Sequence, residues 1–308
     1  MAKNKNLTPE ELVKKYKRKF SILLVVFLLF LSGTGFYIYL SYDYLAFKHF
    51  IAQHYIYTQA LDQLYLKELK RDVKGKYFTY FDDVVISVVT ERIRELNNDR
   101  YTYLYIPEQY ERYKQEEKAE AEKSEIKVLD QDTVYLHITN FSKYTDAFVQ
   151  QNVEQLKKYP YLVLDLRNNL GGDIEAMNHI SELFLPKGST ITVDKLRIFD
   201  WTAKTGKNPR LSYKKIAILQ NKNSASASEC LIGALKDNLD NVTLIGEPTF
   251  GKGIGQYTLP LKKGFAVKAT TMLWYTPKGV NIHGKGFPPD IAYAQEDIVQ
   301  FALQTIKE

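Results

Sequence analysis

Cysteine is almost missing: Cys230 stands alone in 308 residues. That excludes an intramolecular disulfide framework and any zinc site built on several thiolates. Histidine is scarce as well. His49, His54, His137, His179 and His283 never fall at HxH or HxxxH spacing, so the sequence offers no histidine metal motif. Positive charge is lacking where a nucleic-acid-binding domain would need it. The net charge is +6, but residues 1–19 hold seven basic side chains against Glu10 and Glu11, a local excess of +5. The other 289 residues are left near +1, too weak a field to hold a phosphate backbone. What is present is a globular composition, 45% hydrophobic and 25% charged, at a length that suits one large domain with attachments.

Residues 20–40, FSILLVVFLLFLSGTGFYIYL, contain no charge. Twenty-one helical residues rise about 31 Å, the thickness of a bilayer's hydrocarbon core. The basic cluster before this run predicts a cytoplasmic N-terminus and an extracytoplasmic body, and Tyr37, Tyr39, Tyr42 and Tyr44 suit the far headgroup belt. A cleaved signal peptide with Phe20–Leu31 as its core is the competing reading, and either reading puts the body outside the cytoplasm. The chain thus divides into a basic tail (1–19), a single-pass anchor in the cell membrane (20–40), a helical stalk (41–127) and a core (128–308).

Apolar residues at helical spacing predict a helix from Ser41 to about Val73, broken by Gly75, and further helices at Phe81–Leu96 and Pro107–Lys123. After Ile126 strands and helices alternate. Strands are expected at Thr133–Thr139, Tyr161–Leu166, Lys215–Gln220 and Asn241–Ile245, with more through Trp274. Helices are expected at Asp146–Lys158, Asn178–Leu185 and Ser226–Asn238. That order argues for an α/β fold with a partly parallel sheet.

Three segments carry chemistry. DLRNNLGGD (Asp165–Asp173) follows a buried-type strand, and its paired glycines permit positive φ and close approach of backbone N–H groups. NSASASECLIGALKD (Asn223–Asp237) sets Ser224, Ser226 and Ser228 at a helix start, more serines than an N-cap requires. GEPTFGKG (Gly246–Gly253) nearly matches a phosphate-binding loop, but Gly253 occupies the Ser/Thr position and IGQYTLPL reads as a strand where a helix is needed. A neutral lysine in that loop can instead deprotonate a serine hydroxyl. Burial or a nearby cation would have to lower its pKa from about 10.4. His283 is the histidine best placed for a triad, yet no histidine sits in a recognisable motif. Cys230 reads as a small buried hydrophobe.

Together the stretches YLVLDLRNNLGGDIEAMNHISELFLPKG, ILQNKNSASASECLIGALKDN, LIGEPTFGKGIGQYTLPLKKG and YTPKGVNIHGKGFPPDI, with ITNF and NNDRYTYLYIPEQY upstream, resemble the carboxy-terminal processing peptidases, or tail-specific proteases. The resemblance runs in order through most of residues 80–292. It implies a crotonase-like core, a Ser–Lys dyad and no metal or cofactor. Ser226 corresponds to the nucleophile, Lys252 to the general base and Gln256 to the glutamine that orients it. The backbone N–H groups of Gly171, Gly172 and Ala227 correspond to the oxyanion donors. The substrate implied is a protein or peptide presenting an extended C-terminal segment, and relatives tend to form homodimers through their N-terminal helices.

Two departures stand out. Only 25 residues, Glu111–Tyr135, fill the place where relatives usually carry a PDZ domain, which needs roughly 80–90 residues. Leu170 stands where proline is common. The expected function is a membrane-anchored serine endopeptidase cutting extracytoplasmic proteins near their C-termini. A non-catalytic scaffold that keeps the fold is the alternative.

Overall fold

The structure is a computed structural model and describes residues 8–57 and 82–308. Its first element, α1 (Pro9–His54), is a single helix of 46 residues. Thr8 opens it: the Glu11 N–H donates to Thr8 Oγ1 while the Thr8 N–H donates to the Glu11 carboxylate, with Pro9 in the first turn. From Phe20 to Leu40 every side chain is exposed. Burial starts at Ser41 and recurs at Tyr44, Phe47, Phe50 and Ile51, a three-to-four-residue stripe that faces protein. The expected continuation of the membrane-length helix holds through His54 and stops there, short of the expected Val73: Tyr55 is extended (φ −63°, ψ 126°) and the Ile56 N–H donates to the Thr270 carbonyl. The expected stretch from 58 to Val73, and the break at Gly75, lie outside the described residues.

Helix α2 (Asp82–Asn97) runs beside the end of α1. Tyr44, Phe47, Phe50, Ile51 and Tyr55 meet Val85, Ile86, Val89 and Ile93, and both groups close over Val267 and Ala269 of a β-sheet. The described part of the expected stalk is thus packed on the body. After α2 come β1 (Tyr103–Tyr105) and α3 (Pro107–Ala121). The segment Glu111–Tyr135 holds the rest of α3, the short strand β2 (Glu125–Val128) and the start of β3 (Thr133–His137).

The six-stranded sheet has the order β11 (Ile291–Ala292), β8 (Val242–Gly246), β7 (Lys215–Gln220), β4 (Tyr161–Asp165), β3, β2. All pairs are parallel except β2 with β3. A parallel sheet is covered on both faces, so its strands are apolar on both sides. Val134, Leu136, Leu162, Leu164, Ile216 and Ile218 face the main core with α4 (Lys143–Gln151), α5 (Val153–Leu156), α6 (Ile174–Phe184) and α7 (Ala227–Asn238). Tyr135, Val163, Ala217, Leu219 and Ile245 face the other way, under α8 (Ile298–Thr305).

A second, antiparallel sheet has the order β1, β10 (Ala266–Tyr275), β5 (Thr190–Leu196), β6 (Asp200–Lys204), with β9 (Ile254–Pro260) also on β10. Strands β1, β2 and β11, the hairpin β5–β6 and the terminal helix α8 are absent from the sequence reading. The remaining elements fall within a few residues of it, except that the helix expected at Asp146–Lys158 is interrupted at Asn152.

Candidate active site

The turn after β4 is held from both sides. Asp165, 1% exposed, accepts from the Arg167 backbone and guanidinium and from Tyr135 Oη. Asn169 is fully buried and donates from Nδ2 to the Ile138 carbonyl at 2.9 Å, while its Oδ1 accepts from the Gly171 N–H at 2.9 Å. Gly172 bridges to Phe141 at φ +143°, where a Cβ would fall 2.0 Å from the Phe141 carbonyl oxygen. Only glycine fits there. Asp173 then caps α6 by accepting from the Ala176 N–H.

The three serines separate sharply. Ser224 Oγ donates to the Leu166 carbonyl and accepts from the Asn221 N–H, and Ser228 Oγ donates to the Asn169 carbonyl at 2.8 Å. Both are fully buried and stitch the helix start to the glycine turn. Ser226 lies between them, half-buried, on the wall of a cavity of about 590 Å³. Its backbone has φ 57° and ψ −116°, an unfavourable region for a residue with a side chain that costs about 1–3 kcal/mol and recurs at functional turns.

Lys252, Gln256 and Lys268 line the same cavity. Lys252 Nζ donates to Gln256 Oε1 at 2.8 Å, and Gln256 Nε2 donates to the Tyr101 carbonyl. Tyr101 is itself fixed by Asp99, a buried carboxylate that takes its N–H and the hydroxyls of Tyr55, Thr102 and Thr270. Desolvation, then the cations Lys268 and Arg100, lower the Lys252 pKa to about 8, while Glu229 and Asp99 oppose the shift. That fits a lysine prepared to act neutral.

Glu229, which the sequence reading passed over, ties the two halves together. It is fully buried in α7. One carboxylate oxygen accepts from Thr249 Oγ1 at 2.6 Å and the Gly251 N–H at 2.7 Å; the other accepts from the Ser226 N–H at 2.9 Å and the Lys252 N–H at 2.8 Å. A first-turn glutamate after a serine reads as a helix cap, and nothing in the sequence shows that its second oxygen reaches a loop 22 residues away.

The three backbone donors divide. The Gly171 N–H is taken by Asn169, whereas no protein acceptor takes the N–H of Gly172 or Ala227 among the described residues. Gly171 lies against Ser226: a Cβ there would sit 2.9 Å from Ser226 Cβ and 3.0 Å from the Ala227 nitrogen. His283 is exposed, its ring edge-on to Tyr101. Cys230 is buried and its thiol is pushed well up by burial. A half-buried hydroxyl, a lysine of lowered pKa and the uncommitted Gly172 N–H on one cavity, with the Ala227 N–H next to the serine, are the parts acyl transfer requires.

Comparison with known proteins agrees in direction. Residues 132–293 match the model of peptidase family S41. A Staphylococcus aureus protein described as "Probable CtpA-like serine protease" is 42% identical over 150 residues, 47% of this chain and 29% of that protein. Its Staphylococcus haemolyticus counterpart is 43% identical over 137 residues, 43% of this chain and 27% of that protein. The chain thus matches less than a third of the length of these relatives. Among solved structures, a photosystem II D1 C-terminal processing protease superposes with a TM-score of 0.50 at 30% identity, over 58% of this chain and 48% of that one. A lipoprotein from Streptococcus agalactiae shares the fold more completely, with a TM-score of 0.68 at 19% identity over 87% of this chain and 96% of that one. With more than half of its residues matched by the family model, the chain belongs to peptidase family S41.

Proposed function

We propose that this chain is a membrane-anchored serine endopeptidase that cuts extracytoplasmic proteins near their C-termini. Ser226 attacks the scissile carbonyl, Lys252 takes the hydroxyl proton and returns it to the leaving amine, and Gln256 keeps the lysine aimed at the serine. The oxyanion is received by the Gly172 and Ala227 N–H groups, and water then hydrolyses the acyl-enzyme. The supporting observation is the part-buried Lys252 amine, lowered to about 8 and held by Gln256 on the wall it shares with a conformationally strained Ser226. The two-sheet body, mostly from residue 128 onward and completed by β1 and β2, is the crotonase-like core of this reading. The apolar run 20–40 of α1 is its anchor, with residues 1–19 in the cytoplasm.

The test is peptide hydrolysis by the purified full-length chain in detergent, with labelling by a fluorophosphonate probe. Wild type is expected to cut and to take the label on Ser226. Ser226→Ala is expected to lose both, with hydrolysis falling by at least about a thousandfold. Hydrolysis that persists in Ser226→Ala would overturn the reading, and a wild type that binds peptides without cutting them would establish the scaffold alternative.

A further inference from the structure

Lys268 lines the same cavity, and beyond its share in lowering the Lys252 pKa the chemistry just described gives it no contact with substrate. In the β9–β10 ladder Thr258 faces Lys268 and Gln256 faces Thr270. Facing residues share a side of the sheet, so Lys268 and Gln256 stand on one face at diagonal positions, about 7–8 Å apart. The Lys268 ammonium lies over the ring of Tyr113, 5.1 Å from its centroid, and makes no ion pair among the described residues. A part-buried cation that lies over a ring face with no carboxylate in ion-pair contact is costly, and in a cleft beside the candidate nucleophile it marks a place for an anion.

We propose that Lys268 is the receptor for a carboxylate of the bound peptide, either its C-terminal carboxylate or an acidic side chain close to the scissile bond. That the ligand is a peptide rests on the peptidase reading; that the subsite takes a carboxylate rests on Lys268 itself. An extended peptide advances about 3.3 Å per residue, so the diagonal from Gln256 to Lys268 spans roughly two residues of bound chain. The subsite then reads the end of the chain from within the core. On the facing helix, Glu116, Glu117 and Glu120 of α3 also line the cavity. Glu117 is the one coupled to Lys268; burial and Asp173 push its carboxyl up from the ordinary range, against the pull of Lys143 and Lys268.

The test uses the full-length Ser226→Ala chain in detergent, so that binding is read apart from turnover. Three fluorescein-labelled random decapeptide libraries serve as probes: one with a free C-terminal carboxylate, one amidated, and one amidated with glutamate fixed at the last position. Fluorescence anisotropy is expected to show the free-acid library binding about tenfold more tightly than the amide, as for a charge-assisted contact. If glutamate restores the affinity, either carboxylate serves; if it does not, the chain terminus is the ligand. Lys268→Gln is expected to bring the acid-to-amide ratio to about one, and Lys268→Arg to keep most of it. A merely structural lysine would weaken all libraries alike and leave the ratio unchanged. Equal binding of acid and amide, or a ratio that survives Lys268→Gln, would overturn the proposal. A wild type that shows the ratio but cuts nothing would overturn the peptidase reading alone.

Discussion

At Lys252 the local physics predicts two pH dependences. As a base the amine works when neutral, so activity is expected to rise with pH and pass half of its maximum near the lowered pKa of about 8. A flat profile of kcat/KM between pH 5 and 9 would count against a lysine base. The same shift acts on stability. The unfolded lysine, at about 10.4, still binds a proton that the folded one has released, so stability rises with pH between about 8 and 10.4, and the penalty is complete below 8. Lys252→Met is therefore expected to raise the Tm at pH 7 and to flatten that rise, measured by thermal denaturation across pH. Glu229 sets a different expectation. All four of its acceptor contacts come from donors, two on each oxygen. Glu229→Gln turns one oxygen into an NH₂ facing N–H or O–H groups, leaving buried donors unpaired at about 1–3 kcal/mol. Because the Ser226 and Lys252 backbones hang on one of those oxygens, kcat is expected to fall by about a hundredfold with KM little changed, in steady-state kinetics. The distinction among Ser224, Ser226 and Ser228 also lives at this scale. Three serines on alternate positions are equivalent by spacing; two carbonyls, those of Leu166 and Asn169, remove the outer two.

Among the elements, α1 changes its environment at one point along an unbroken helix. Its apolar run ends at Leu40, and the next residue, Ser41, is already buried. Lys262, in the turn between β9 and β10, donates from Nζ to the Tyr39 carbonyl and from its backbone N–H to Asp43, so no linker separates the run from the body. Removing residues 1–40 is expected to leave a folded body that still cuts peptides but no longer fractionates with membranes. Removing residues 1–54 also strips Phe47, Phe50 and Ile51 from Val267 and Ala269, and each large side chain lost from such a core costs about 2–5 kcal/mol. That shorter chain is expected to denature at a lower temperature or to aggregate. Equal stability of the two truncations would show that α1 contributes nothing to the fold. The β5–β6 hairpin was illegible for a related reason. DWTAK alternates poorly and leaves Trp201 60% exposed, so its pairing comes from the neighbouring strand and not from its own pattern.

For the whole molecule, local pattern was enough wherever one residue's neighbours in sequence decide its environment. The uncharged run 20–40, the alternation of strands with helices after Ile126, and the family motifs around Ser226 and Lys252 were all legible, because bilayer thickness, sheet burial and turn chemistry act over a few residues. Contacts between distant segments were not legible. The sequence places Glu229 at a helix start, and only the tertiary structure brings it to Gly251 and Lys252. Lys268 reads as one more charge in a strand until the β9–β10 register sets it on the face that carries Gln256. Gly171 and Gly172 look alike in a GG pair, and the amide of Asn169 alone makes one N–H committed while the other stays open. By itself the sequence determined the apolar helix, the layered fold and the family, and it narrowed the proposed nucleophile and base to a serine and a lysine. The tertiary structure decided which serine reaches the cavity, what lowers the lysine and which donors remain free, because each depends on burial and hydrogen bonding between segments that meet only on folding.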